Sequence, residues 1–211
     1  MPCLDQLPGL HNGDKAQLII CAAREAFLEK GYDGVSMDEV ASRAGVAKQT
    51  VYARYTSKDA LFLAVVESLQ GRMLSAVSAT GSLPIRDRLQ QIARELLDLV
   101  LDPSSLSLSR IALGASYRFP TLGHSIYGAR INKLHAVLAD ILEQAAKDGC
   151  LAVNDPTVAA EQFLALVRGE LHLHCLYDPS FQPSRVKIER QIDAGLDCFM
   201  ARYGAPSALS L

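Results

Sequence analysis

The sequence predicts an all-α protein in two unequal parts, and three observations carry that prediction. Apolar residues recur at three- and four-residue spacing along most of the chain, with no run of β alternation. Helix start and stop signals bracket those runs, with Ser, Asp or Pro ahead and Gly or a Pro-containing break behind. Composition is the third. Of 211 residues, 49% are hydrophobic and 21% charged, the balance of a folded globular chain with a sizeable core.

Taken in order, Asp14 is placed to cap a first helix whose Leu18, Ile19, Ala22, Ala23, Ala26 and Phe27 form one stripe, and Gly31 ends it. Ser36 followed by Glu39 reads as a capping box, the hydroxyl meeting an early backbone N–H and the carboxylate reaching back. That second helix runs over about 37–44 and stops at Gly45, and a third covers about 47–52. Ser57 caps a fourth, with Asp59 favourably placed in its first turn. "ATGSLP" near residue 81 is a linker-like interruption, and Pro84 suits the first turn of the next helix. Further helices are predicted near 84–101, 104–118, 121–147, 156–177 and 184–203, punctuated by "LDPSS", "RFPTLG", "KDGCLAVNDP" and "YDPSFQPS". Asp155 and Pro156 make a cap and first-turn pair, and the tail from Gly204 reads as loose.

One stretch does not fit a plain core-forming reading. "GVAKQTVYARYTSK", residues 45–58, is rich in hydroxyls, amides and cations between two apolar-striped helices. Residues 36–52 form helix, tight Gly turn and short helix, the pattern of a helix-turn-helix whose second helix enters a DNA major groove. Val40, Ala41 and Val46 would fix the angle of the pair, and small Ala44 and Gly45 allow close approach. Gln49 and Thr50 fall early in the second helix, where amides and hydroxyls suit base edges. Lys48 can reach a guanine or a phosphate, and Arg54 can do either. Tyr52, Tyr55 and Lys58 are spaced to follow the sugar-phosphate backbone. Ser36 and the helix N-terminus behind it can meet a phosphate. A three-helix bundle with a polar loop is the competing reading of the pattern by itself.

Charge supports contact only locally. The chain carries a net −2, and residues 14–70 hold seven Lys/Arg against eight Asp/Glu. Residues 43–59, however, hold Arg43, Lys48, Arg54 and Lys58 against Asp59 alone. Affinity is therefore expected to rest on geometry and on two copies more than on bulk charge.

The block "SMDEVASRAGVAKQTVYARYTSKDALFLAVVE" resembles the N-terminal DNA-binding domain of TetR/AcrR-family transcriptional regulators. Val40, Ala41, Ala44, Gly45, Val46, Tyr52, Lys58 and Leu61 match the family pattern in register over about residues 14–67. Tyr55 stands where the family usually has Phe, and Ala47 where it commonly has a capping Ser. Residues "RIALGASYRFPTLGHSIYGARINKLHAVLADIL" are also similar to C-terminal domains of an AcrR-like branch, in which an "RFP" follows the sixth helix. The resemblance implies a homodimer on a palindromic double-stranded operator, with the last two helices as dimer seam. Leu196 is the seam position where a charge is expected to split the dimer. It also implies an N-terminal helix-turn-helix domain over 14–57, a connecting helix over 58–80 and a regulatory and dimerisation domain over 81–204, between flexible ends at 1–13 and 205–211. The whole would comprise about nine helices.

The expected function is a cytoplasmic ligand-responsive regulator, a repressor released by a small apolar or amphipathic effector. Leu97, Val100, Leu113, Tyr117, Phe163 and Val167 are the candidate lining of its pocket, on inward stripes of the fifth, sixth and eighth helices. Ligand there is expected to press on the fourth helix through Leu61, Phe62, Val65 and Val66 and to change the spacing of the two recognition helices. The alternatives are a regulator without a small-molecule effector and a thiol-based redox sensor.

Other classes find little support. No Ser/His/Asp set, carboxylate pair or phosphate-cradling Gly loop suggests an enzyme, and no cofactor is expected. "HLHC" at His172–Cys175 lacks the further ligands and the shared face that a metal needs. Cys3, Cys21, Cys150, Cys175 and Cys198 are scattered without paired spacing and read as reduced thiols. The first residues have neither the basic start nor the apolar run of a secretory signal, and no segment has the roughly 18 apolar residues of a membrane span.

Overall fold

Local chemistry sets where the helices begin. In the computed structural model, which describes residues 14–69, 83–128 and 133–205, four helix starts carry a side-chain acceptor for amides that have no partner inside the helix. The Ser36 hydroxyl accepts from the Glu39 amide at 3.1 Å and Ser57 from Ala60 at 3.1 Å. The Asp155 carboxylate takes both the Thr157 and Val158 amides, and Ser184 takes that of Lys187.

Ten helices follow among the described residues, with no strand beyond a single bridge pairing Leu151 and Gly204. They are α1 (Asp14–Lys30), α2 (Met37–Arg43), α3 (Lys48–Arg54), α4 (Lys58–Ser68), α5 (Ile85–Val100), α6 (Pro103–Arg118), α7 (Pro120–Tyr127), α8 (Lys133–Lys147), α9 (Pro156–Tyr177) and α10 (Arg185–Tyr203). The single helix expected over 121–147 is described as α7 and α8, with residues 129–132 outside the described set. The linker read at "ATGSLP" and the two flexible ends likewise lie outside it, apart from Leu83, Pro84, Gly204 and Ala205. No helix among the described residues is long and apolar enough to cross a membrane.

The chain divides into two compact units. The first joins α1–α4 to α6 and α7. Its core holds Ile19, Phe27, Val40, Val51, Leu61, Phe62 and Val65 together with Leu108, Ala112 and Leu122 from the later helices. Phe27 meets Phe62 edge to face at 4.8 Å between ring centres, the arrangement that opposite ring-edge and ring-face charges favour. Leu61, Phe62, Val65 and Val66 are thus all spent inside this unit. Cys21, fully buried on α1, is disulfide-bonded, where the scatter of cysteines predicts reduced thiols; Cys3 lies outside the described residues. Sequence spacing carries no information on which thiols the fold brings together.

The second unit packs α5, α8, α9 and α10 around Leu89, Ile92, Leu97, Leu138, Phe163, Val167, Leu196 and Phe199. Antiparallel α5 and α10 also share a polar ladder at every fourth residue: Arg86 with Asp197, Gln90 with Asp193, Arg94 with Glu189 and Asp98 with Arg185. Leu196 faces this core and is fully buried, so it is not the seam residue its apolar character suggests.

Helix α9 breaks at Gly169, whose φ of 49° and ψ of −155° belong to a region only glycine occupies comfortably. The side chain of Gln191 on α10 fills the gap, its Nε2 donating to the Leu166 carbonyl at 2.8 Å. One turn on, Gly195 lets the helices touch: a Cβ there would stand 2.8 Å from the same carbonyl oxygen. Beside the break a solvent-open groove of about 400 Å³ is walled by Glu170, Leu171 and His174 on one side and Lys187, Arg190, Gln191 and Ala194 on the other.

Candidate nucleic-acid interface

The turn between α2 and α3 is built from backbone hydrogen bonds around one left-handed residue. Gly45 has φ 64°, its N–H reaches the Ser42 carbonyl, and the Val46 N–H reaches Ala41 at 3.1 Å. This paired pattern closes a helix end and redirects the chain at once. Val51 then anchors α3, fully buried, while Lys48, Gln49, Tyr52 and Arg54 stand exposed on its outer side and Thr50 is half-buried. An apolar anchor under a polar, donor-rich face is what a helix needs to be held firmly and still read a groove.

The cations are not equivalent. Arg43 turns inward, bridging Glu29 and Glu39, and Lys30 also binds Glu39. Hydrogen bonding from Lys30, and after it from Arg43, holds the Glu39 carboxyl below its usual range. The capping box is therefore only half formed: Ser36 accepts as expected, but the carboxylate goes to these cations instead of reaching back. Lys48 bonds Asp38 at 2.7 Å and lies 5.8 Å from the Tyr52 ring centre. Asp38 is thus an acid on the candidate face, unlike Glu29 and Glu39. Among the described residues, Arg54 has no ion-pair partner.

At the other edge, Lys58 sits 4.5 Å above the ring of Tyr32, and its Nζ is 3.5 Å from the Asp33 carbonyl oxygen. Tyr32 is buried and donates its hydroxyl to Asp59. Burial, followed by that bond, raises its phenol far above the ordinary range, so it remains a donor at any physiological pH. Tyr55, where a phenylalanine is usual, is half-buried and packs against the core; burial raises its phenol too. Ala47 sits at the start of α3 in extended conformation with no side-chain hydrogen bond.

Ser36, Lys48, Gln49, Thr50, Tyr52, Arg54, Tyr55 and Lys58 all lie on α2–α4, their caps or their connections, within the first unit. Sequence reasoning misses Tyr32, Asp38 and Asp59, which support that region. Only Asp59 gave a signal, as a first-turn acid.

The six pocket candidates are divided. Leu97, Phe163 and Val167 are fully buried in the second unit's core and Val100 nearly so. Leu113 and Tyr117 are a correction: they are 63% and 91% exposed, so they do not stand on an inward stripe of α6. On α6 the inward stripe is Leu108, Ala112 and Ala115, which places 113 and 117 on the far side. In "HLHC", Cys175 is buried while His174 stacks flat on Phe181 at 3.7 Å.

Two family models match the chain: residues 19–65 fit bacterial regulatory proteins of the tetR family, and residues 87–205 fit the C-terminal domain of AefR-like transcriptional repressors. The HTH-type transcriptional regulator YhgD of Bacillus subtilis is 30% identical over 189 residues, covering 87% of this chain and 92% of that one. Two other curated relatives are matched over only 28% and 54% of their own length. Among solved structures, a TetR-family transcriptional regulator from Mesorhizobium loti superposes with a TM-score of 0.82 at 31% identity, over 93% of this chain and all of that one. The flavonoid-responsive regulator FrrA gives 0.73 at 34% identity, over 92% and 99%. The chain belongs to the TetR family of DNA-binding transcriptional regulators, which are not enzymes.

Proposed function

We propose that this protein is a cytoplasmic homodimeric repressor that leaves a palindromic operator when a small apolar or amphipathic molecule binds its C-terminal half. The observation that carries the DNA reading is the outer face of α3, where Lys48, Gln49, Tyr52 and Arg54 stand over buried Val51. Gln49 and Thr50 read base edges. Tyr52, Tyr55, Lys58 and Ser36 hold the backbone, and Lys48 and Arg54 serve either role. Likeness to AefR-like repressors supports repression, and likeness to a flavonoid-responsive regulator supports a flat, amphipathic effector. Leu97, Val100, Phe163 and Val167 stay the candidate pocket lining, which the effector would have to part. In function, residues 14–57 bind DNA, 58–80 connect, and 81–204 regulate and dimerise.

An outer stripe on α9 and α10, where Ala165, Leu173, Ala194, Cys198 and Ala201 are exposed, supports dimerisation through these helices. Small side chains along two neighbouring helices let a second copy approach closely, and two heads must reach major grooves about 34 Å apart or a multiple of it.

The test has two stages. Operators are selected from random DNA by the full-length protein and checked by gel shift. A flavonoid panel is then screened by thermal shift and by release of operator. Failure to enrich any palindrome would sink the DNA reading. Enrichment without a compound that both stabilises the protein and releases DNA would favour regulation without a small-molecule effector.

A further inference from the structure

The sequence motif Arg118-Phe119-Pro120 forms the corner between α6 and α7 and reaches the turn that follows α1. Pro120 opens α7, and the Phe119 amide closes α6 on the Ala115 carbonyl at 2.8 Å. Gly123 lets α7 cross tightly, since a Cβ there would stand 2.8 Å from the Ser116 Cβ. The corner thereby points Phe119 at Tyr32, ring centres 5.3 Å apart. Arg118 lies over Phe119 at 5.6 Å and forms an ion pair with Asp33. Tyr32 and Asp33 are the two residues that Lys58 touches, one through the ring and one through the carbonyl oxygen. Phe27 and Phe62 pack on the other sides of Tyr32, and Asp59 takes its hydroxyl.

We infer that Arg118 and Phe119 are positioning residues for DNA binding: they clamp the Tyr32–Asp33 turn and so fix where Lys58 presents its ammonium to the sugar-phosphate backbone. This rests on the reading of Lys58 as a backbone contact. An ammonium has three donors, so one directed at a carbonyl leaves others for a phosphate. A lysine held at one point contributes to register, whereas a free one adds only diffuse attraction. The corner belongs to helices that follow residue 102, so any rearrangement there reaches the operator contact through two side chains, without moving α3 itself.

A double-mutant cycle on the full-length protein with its selected operator tests this. Lys58→Ala is expected to weaken operator binding about tenfold and to flatten the salt dependence by about one unit. Arg118→Ala alone is expected to cost about fivefold, and nothing further in the Lys58→Ala background. Exchanging the pair, Asp33→Arg with Arg118→Asp, is expected to recover most of the loss that either single change causes. Phe119→Leu gives a milder second variant, and circular dichroism confirms that each variant is folded. Equal losses from Arg118→Ala with and without Lys58 would overturn the positioning role, since Arg118 would then act independently. If Lys58→Ala changes neither affinity nor salt slope, the reading of Lys58 fails first and the inference falls with it.

Discussion

The α2–α3 pair and the α9–α10 pair each depend on glycine, for opposite reasons. A Cβ at Gly45 would meet open space, so glycine is required there by its left-handed φ alone. Gly195 is ordinary helix and is required because the Leu166 backbone occupies the place of a Cβ. Gly169 is of the first kind: its φ is positive, and the atoms nearest a Cβ there belong to the movable side-chain amide of Gln191. The first kind of constraint is local and is written in a short motif. The second is created by a segment some thirty positions away in the chain, and no window of sequence around it announces it.

Substitutions on the two pairs separate these cases. The largest effect is expected from Leu196→Glu, because a carboxylate would enter the core of the second unit without a partner. The cost is about 3–5 kcal/mol by analogy with stranded buried charges, visible as a collapsed urea midpoint. Ala194→Glu, two positions earlier on the exposed side, is expected to leave protomer helicity intact and to split the proposed dimer in light scattering. A stable dimer carrying Ala194→Glu would remove α10 from the interface.

Gly195→Val comes next. The contacted atoms are backbone, which cannot rotate away, so α10 must shift from α9 at about 3 kcal/mol, the upper range for overpacking. Gly169→Ala is expected to cost about 2 kcal/mol from its φ and ψ, and Gly45→Ala about 1 kcal/mol, since only φ is wrong there. The ranking is checked by urea denaturation of the three variants in one buffer. Gly45→Ala proving the most destabilising would reverse the distinction drawn between conformational and steric glycine.

This distinction also marks what could be read from the chain. Ser36, Gly45, Ser57 and Asp155 act within four residues of themselves, and the sequence places all of them correctly. The polar face of α3 was legible because a stretch lacking the expected apolar stripe lay between two that had it. Tyr32, by contrast, reads as one more aromatic near a helix end, and its bond to Asp59 spans 27 positions. Arg118 reaches Asp33 across 85. Leu113 and Tyr117 failed as pocket candidates because a stripe names the two sides of a helix without saying which neighbour covers either. The Glu39 carboxylate left its local capping role because Lys30 and Arg43 offered charge, which a backbone amide could not match.

The smallest expected effect, of opposite sign, concerns the start of α3. Ala47 already holds the extended geometry of a cap residue, φ −65° and ψ 143°, and its carbonyl accepts the Thr50 amide at 2.8 Å. Only the side-chain acceptor is absent. Ala47→Ser supplies a hydroxyl within reach of the early amides of α3 without altering the turn, and is expected to add about 0.5–1 kcal/mol. In a chain of this size that raises the melting temperature by about 1–4 °C. Operator affinity reports something separate. If α3 is partly unformed until DNA orders it, pre-forming it should raise affinity by up to about fivefold, because the ordering cost is then met before binding. If α3 is already formed, stability will rise while affinity stays level. Measuring both on the same preparation therefore decides whether the bare alanine loosens the recognition helix, and a loss in either quantity would mean that the serine hydroxyl competes with the Thr50 bond instead of supporting it.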